Sequence, residues 1–237
     1  MRGMELELGR WRARLVGRAE AGPALDLRAR LYRGGAPDED RFDAGFEHLL
    51  IEEGGDLAAS ARLARQDAAA ILRGYTAQFY DLRPFAAQFG RAVEIGRICV
   101  APEATDPAVP RILLAVMTWL VLEGRVPALY GCTSFGADGA GMARLGEHAA
   151  PRAWAPRTGS GEVVAIPDAP GPLPPMLRAW LSLGAGVSDH AVVDRDLGTI
   201  HVFTGLPVAA IPRRRAEVYC AMLGREAPAD YDRFGAG

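Results

Sequence analysis

Apolar and polar residues alternate from Trp11 to Val16, the period of a half-buried strand. Leu25 to Tyr32 switches to helical spacing, and Gly34-Gly35 stops it. Two β-prone runs, Phe46 to Glu52 and Leu57 to Arg65, are joined by Gly54-Gly55 and predict a hairpin. Ala92 to Val100 predicts another strand, apolar at Val93, Ile95, Ile98 and Val100. Pro110 stands just ahead of a helical run, Arg111 to Glu123, and Gly124 ends it. Pro127 to Ser134 reads as a buried strand, and Pro151 to Gly161 as a loop rich in Pro and Gly. Val163 to Ile166 follows as a short strand, and Pro172-Leu173-Pro174-Pro175 opens a helix over Met176 to Leu183. Thr199 to Leu206 is a further strand, and Pro212 introduces a last helix to Leu223. With no repeat and no long linker, this order predicts an α/β fold. It is a mixed sheet in one domain over 1–237, with a core at residues 9–150 and an added C-terminal unit at residues 160–223.

Composition narrows the function. A chain of 237 residues with 49% hydrophobic and 24% charged residues has globular proportions. At this size folding buries roughly 70% of the extended surface, so a core forms without disulfides or metals as staples. The net charge of −2 argues against nucleic-acid binding through charge. All 27 basic residues are Arg, so a Schiff-base Lys and a Walker Lys are impossible. Cys99, Cys132 and Cys220 are scattered, show no CxxC spacing and point to a reducing cytosol. Met1 to Gly22 has no apolar core of a signal peptide. The longest strongly apolar stretch, Ile112 to Leu122, is about half a membrane span. The expected place is the cytoplasm, at most on the inner face of the cytoplasmic membrane.

Several constellations point to ordinary structure. Gly136-Ala137-Asp138-Gly139-Ala140-Gly141 follows a strand, but its spacing is G-x-x-G-x-G and reads as a turn, not a dinucleotide loop. His48, His148, His190 and His201 show no metal spacing with the Cys residues, and no metal or cofactor is expected. No G-x-S-x-G elbow supports a Ser nucleophile. Cys132 in an apolar strand reads as a small hydrophobe.

Two features carry chemistry. Glu94, in Val93-Glu94-Ile95-Gly96-Arg97, is a carboxylate inside an apolar strand, so it is paired, protonated or functional. Gly96 beside it marks a bulge or a close backbone approach. The acidic loop Asp38 to Asp43 contains Asp40-x-x-Asp43, a spacing at which two carboxylates can share one ammonium.

The ordered segments then resemble a known family. Leu27-Arg28-Ala29-Arg30-Leu31-Tyr32, Asp40-Arg41-Phe42-Asp43, His48-Leu49-Leu50 and Ala61-Arg62-Leu63 resemble the opening of the ornithine-lipid N-acyltransferases, relatives of the acyl-homoserine-lactone synthases. Phe79-Tyr80-Asp81-Leu82, Glu94 to Pro102, Tyr130 to Phe135 and Leu173 to Arg178 continue the likeness in order, so it covers residues 9–207. The helix differs, reading Arg28-Ala29-Arg30-Leu31-Tyr32 where the family usually has Arg-Tyr-Arg-Val-Phe, and the loop Gly34 to Asp40 is shorter.

The resemblance implies a GNAT-like acyltransferase fold. It implies transfer of a 3-hydroxyacyl chain from acyl carrier protein to the α-amino group of L-ornithine, the product being lyso-ornithine lipid. Under it, Glu94 takes the amine proton, and backbone N–H groups near Gly96 to Ile98 hold the oxyanion. Arg97 fixes Glu94 or holds the Asp40/Asp43 loop. Arg28 and Arg62 bind the amino-acid carboxylate or brace those acids, and Ile98 and Cys99 line the substrate. Two alternatives stand beside it: an acyl-homoserine-lactone synthase using S-adenosylmethionine, and a non-catalytic relative that binds acyl chains or carrier protein. The strands holding Glu94 and Ala128 to Thr133 are then expected to be parallel neighbours. Arg213-Arg214-Arg215 offers a contact for an anionic membrane surface.

Overall fold

A computed structural model describes residues 3–234. Strict alternation makes Met4–Leu8 strand β1, which pairs antiparallel with β2, Trp11–Val16. Helix α1, Gly22–Arg33, has Pro in its first turn and ends at Gly34, whose φ of 60° suits a residue without a Cβ. β3, Glu47–Glu53, and β4, Asp56–Asp67, form the expected hairpin over Gly54-Gly55. A short helix α2, Ala68–Ile71, a two-residue strand β5, Tyr80–Asp81, and helix α3, Arg83–Phe89, precede β6, Arg91–Val100. Helix α4, Val109–Glu123, leads to β7, Ala128–Gly136. The chain finishes with β8, Arg157–Thr158; β9, Glu162–Val164; α5, Pro175–Ser182; β10, Gly186–Val187; β11, Ala191–Asp194; β12, Thr199–Pro207; and α6, Arg213–Met222.

The chain divides into two units. The first holds the residues up to Ala64, Ile95–Gly124 and Arg213–Ala229. In it the strand order is β1-β2-β3-β4-β6. Helix α1 buries Ala24, Leu27 and Arg28, which lie on one face because they are three and four residues apart. Helix α4 is apolar nearly all round and is buried along most of its length.

The second unit holds Arg65–Glu94, Arg125–Pro212 and the residues from Asp230 on. Its strand order is β6-β7-β12-β11-β9, with β10 also on β12. β6 and β7 are parallel, with Val93 opposite Leu129 and Glu94 opposite Tyr130, as expected. An aromatic core of Tyr80, Phe85, Tyr130, Trp154 and Phe203 packs beneath them.

The Gly136–Gly141 segment is a turn, with Gly139 and Gly141 at φ of 66° and 96°. β9 is shorter than the stretch Val163 to Ile166. Of the two readings of Gly96, the close approach is corrected, since its missing Cβ faces open space. The irregular residue is its neighbour Arg97, whose φ is 50°.

Candidate active site

The first group of functional side chains lies within the first unit. Arg28 is 1% exposed and reaches from α1 to the acidic loop. Its Nε donates to Asp38 Oδ2 at 3.0 Å, and its Nη1 to Asp43 Oδ1 at 2.6 Å. Arg62, on β4 and also 1% exposed, donates from Nη1 to Asp40 Oδ1 at 2.7 Å and to Asp43 Oδ1 at 3.1 Å. Arg97 donates from Nε to Asp38 Oδ2 at 2.8 Å, and Arg33 to Asp38 Oδ1 at 2.9 Å. Burial on its own would raise the carboxyl pKa values of Asp38 and Asp43. The guanidiniums more than offset that and hold both below the ordinary carboxylate range, Asp43 with help from the Asp40 N–H.

Asp40 is held differently. Its Oδ1 accepts from Arg62 and from the Phe42 N–H, while the buried Oδ2 has no hydrogen-bond partner among the described residues. Arg97 Nη2 lies 3.9 Å from Oδ2. An acceptor atom with nothing to accept from is a place for an N–H donor. His48 lies 3.9 Å from Asp43 and is kept neutral by burial, which lowers its pKa. Tyr32 donates its hydroxyl to the Ile98 carbonyl at 2.9 Å, and the Arg97 guanidinium lies over its ring. Cys99 is buried, which raises its thiol pKa.

The second group lies within the second unit and centres on Glu94, which is 1% exposed. Its Oε2 accepts from Gln66 Nε2 at 2.9 Å and from the Tyr75 N–H at 3.1 Å. Its Oε1 accepts from the Thr76 N–H at 2.6 Å. Gly74 passes directly against this carboxylate: a Cβ there would stand 2.4 Å from Glu94 Oε2 and 2.8 Å from Gln66 Nε2. Tyr130 donates its hydroxyl to Gln66 Oε1, and the Cys132 thiol lies 3.8 Å from Thr76 Oγ1.

Arg97 contacts Asp38 and Asp40, while Glu94 accepts from Gln66, Tyr75 and Thr76, so these contacts of Arg97 lie with the acidic loop. Arg28 and Arg62 likewise brace the acids. Ile98 contributes a carbonyl to Tyr32. Asp38, Arg33, Gln66 and Tyr130 are members that sequence reasoning missed. Asp38 stands in the same acidic run as Asp40 and Asp43, and that run is the signal that marks it. Gln66 and Tyr130 carry no local signal, since the sheet brings them to Glu94.

The segment Ala101 to Arg111 has no Gly, and Pro at 102, 107 and 110. The N–H groups of Ala101, Ala104, Thr105, Ala108 and Val109 are all bonded within the protein. Glu103 pairs with Arg30, and Asp106 with Arg10. Such a segment has few amides to offer a pyrophosphate.

Comparison with known proteins agrees with this architecture. A family model described as an acetyltransferase (GNAT) domain matches residues 27–115. The L-ornithine N(alpha)-acyltransferase of Rhodobacter capsulatus is 31% identical over 223 residues, covering 84% of this chain and 83% of that protein. The protein of the same name from Brucella abortus is 28% identical over 218 residues, covering 79% and 76%. Among solved structures, an N-acyl amino acid synthase from uncultured soil microbes matches with a TM-score of 0.54 at 12% identity, over 89% of this chain and 97% of that one. That last likeness is one of fold.

Proposed function

The chain belongs to the L-ornithine Nα-acyltransferase family and is an N-acyltransferase of GNAT fold, and from that premise we propose its reaction in full. It transfers a 3-hydroxyacyl chain from acyl carrier protein to the α-amino group of L-ornithine, giving lyso-ornithine lipid. The observation that carries this reading is the Glu94 carboxylate, buried and hydrogen-bonded on both oxygens yet with acceptor capacity left on Oε1.

The chemistry is amine attack on a thioester. An α-ammonium has no lone pair, so it first loses a proton, and a water carries that proton to the buried Glu94. The amine lone pair then forms the C–N bond at the thioester carbonyl, and the tetrahedral oxyanion is held by backbone N–H donors around Gly96 to Ile98. As the C–S bond breaks, the nitrogen, cationic after attack, gives up a second proton; that proton goes to the departing pantetheine sulfur, which leaves as the thiol, and the first passes from Glu94 to solvent. Asp40 Oδ2 accepts from a cationic group of the substrate. Arg28, Arg62 and Arg97 keep the acidic loop in shape.

The test is turnover of the purified chain with 3-hydroxyacyl carrier protein and L-ornithine, read as thiol release and by mass spectrometry of the amide. Glu94→Gln is expected to keep the fold and lose acyl transfer by roughly 100-fold or more. Near-normal turnover in that variant would make Glu94 structural. A product formed only with S-adenosylmethionine would move the protein to lactone synthesis.

A further inference from the structure

Glu94, Gln66 and Tyr130 form one directed chain of hydrogen bonds, and we propose that Gln66, locked by Tyr130, is a positioning residue that makes Glu94 Oε1 the proton-accepting atom. The proposal rests on the reading of Glu94 as the base.

The direction of the chain follows from the chemistry of its ends. Tyr130 is fully buried, and burial together with the neighbouring Glu94 charge pushes its phenol well above the ordinary range, so it keeps its proton and donates. A glutamine amide has one acceptor end and one donor end, nearly equal in shape. The Tyr130 hydroxyl donates to Gln66 Oε1, which turns Nε2 towards Glu94. The reversed amide would set its carbonyl against the carboxylate.

The consequence falls on the two oxygens of Glu94. Each carboxylate oxygen has two lone pairs. Oε2 spends both, on Gln66 Nε2 and on the Tyr75 N–H. Oε1 spends one, on the Thr76 N–H. A proton arriving from the amine therefore finds its place on Oε1. Gly74 closes the Oε2 side, since its backbone lies against both Oε2 and Gln66 Nε2. Tyr130 is also the residue of β7 directly opposite Glu94 on β6, so the sheet fixes both ends of the chain.

The experiment compares Gln66→Leu and Tyr130→Phe with the parent enzyme on the same carrier-protein donor and L-ornithine. Gln66→Leu is expected to lower kcat about tenfold, as loss of a hydrogen bond to a buried charge does. KM for the amine stays within about twofold, because Gln66 takes no part in amine recognition. The acid limb of the kcat profile moves to higher pH, because the carboxylate has lost a donor that favours its charged form. Tyr130→Phe, which leaves Gln66 free to turn, shifts both in the same direction by less. Tyr130→Phe gives a second measurement if Gln66→Leu fails to fold. A pH profile superimposable on the parent's in the folded variants overturns the proposal, and so does a rise in KM at unchanged kcat. Full activity of Glu94→Gln would instead remove the underlying reading of the base.

Discussion

Arg97 Nε donates to Asp38 Oδ2 at 2.8 Å from a backbone held at φ 50°. A branched or bulky residue with positive φ is strained, and the ion pair is what keeps it there. Asp38 is 4% exposed, and without Arg97 it keeps Arg28 and Arg33 as partners. Arg97→Ala is therefore expected to lower the unfolding free energy by about 1.5 kcal/mol, as loss of one hydrogen bond to a charged group does, measured by urea denaturation. Asp38→Asn combined with Arg97→Ala should cost clearly less than the two single changes added together. Strict additivity would mean that the contact contributes nothing to the fold.

Acid should weaken the protein in two stages. Burial lowers the His201 imidazole to about 4, so it stays neutral in the folded chain. Below its ordinary value near 6.5 the unfolded chain takes up a proton that the folded one refuses, so stability is lost as pH falls from about 6.5 to about 4. Asp38 and Asp43, held below their ordinary range, act further down: their contribution is present above about 4 and is lost as pH falls through their folded values. Melting temperature against pH reads both stages. His201→Phe should make the upper stage shallower, leaving the share of His48, which burial also lowers, and should not alter the lower stage; an upper stage of unchanged depth would assign it elsewhere.

The donor should be discriminated by its carrier. The amides of Ala101, Ala104, Thr105, Ala108 and Val109 are already bonded within the protein, and the acids there repel phosphate. Acyl carrier protein thioesters are therefore expected to have a kcat/KM at least about tenfold above coenzyme A thioesters of equal acyl length. Equal values would show that the segment holds a pyrophosphate in spite of its bonding.

Contact with an anionic bilayer is testable at α6. No helix of the described residues is long and apolar enough to cross a membrane. Arg214 and Arg215 are exposed at the helix start, beside Arg213, which donates to the Ala229 carbonyl. Each surface Arg adds attraction of about 1 kcal/mol to anionic lipid. Flotation with anionic liposomes should fall in an Arg213/Arg214/Arg215→Ser triple variant, and equal flotation would end the idea.

Much of the fold was legible because its elements obey local rules. The Gly54-Gly55 hairpin and the Pro110 and Gly124 limits of α4 follow from period and punctuation, and the parallel pairing at Glu94 follows from the family resemblance. The alternation Met-Glu-Leu-Glu-Leu is equally plain in β1, while α3, β10 and β11 are too short for period to identify them. In the site, Glu94, Asp40 and Asp43 stand out as charges in apolar or acidic contexts, while Arg28, Arg62 and Arg97 come with the family resemblance. What each charge touches was not legible. Arg28 meets Asp38 because the helix face it shares with Ala24 and Leu27 is buried, and Gln66 meets Glu94 through the sheet.

The glycine at 74 ties three positions into one unit of inheritance. A Cβ there would meet the ends of two side chains, the carboxylate at 94 and the amide at 66, so any substitution shifts one or the other. In a random-mutagenesis library selected for acyl transfer, replacements at 74 should therefore be depleted as single changes and less depleted alongside a smaller residue at 66.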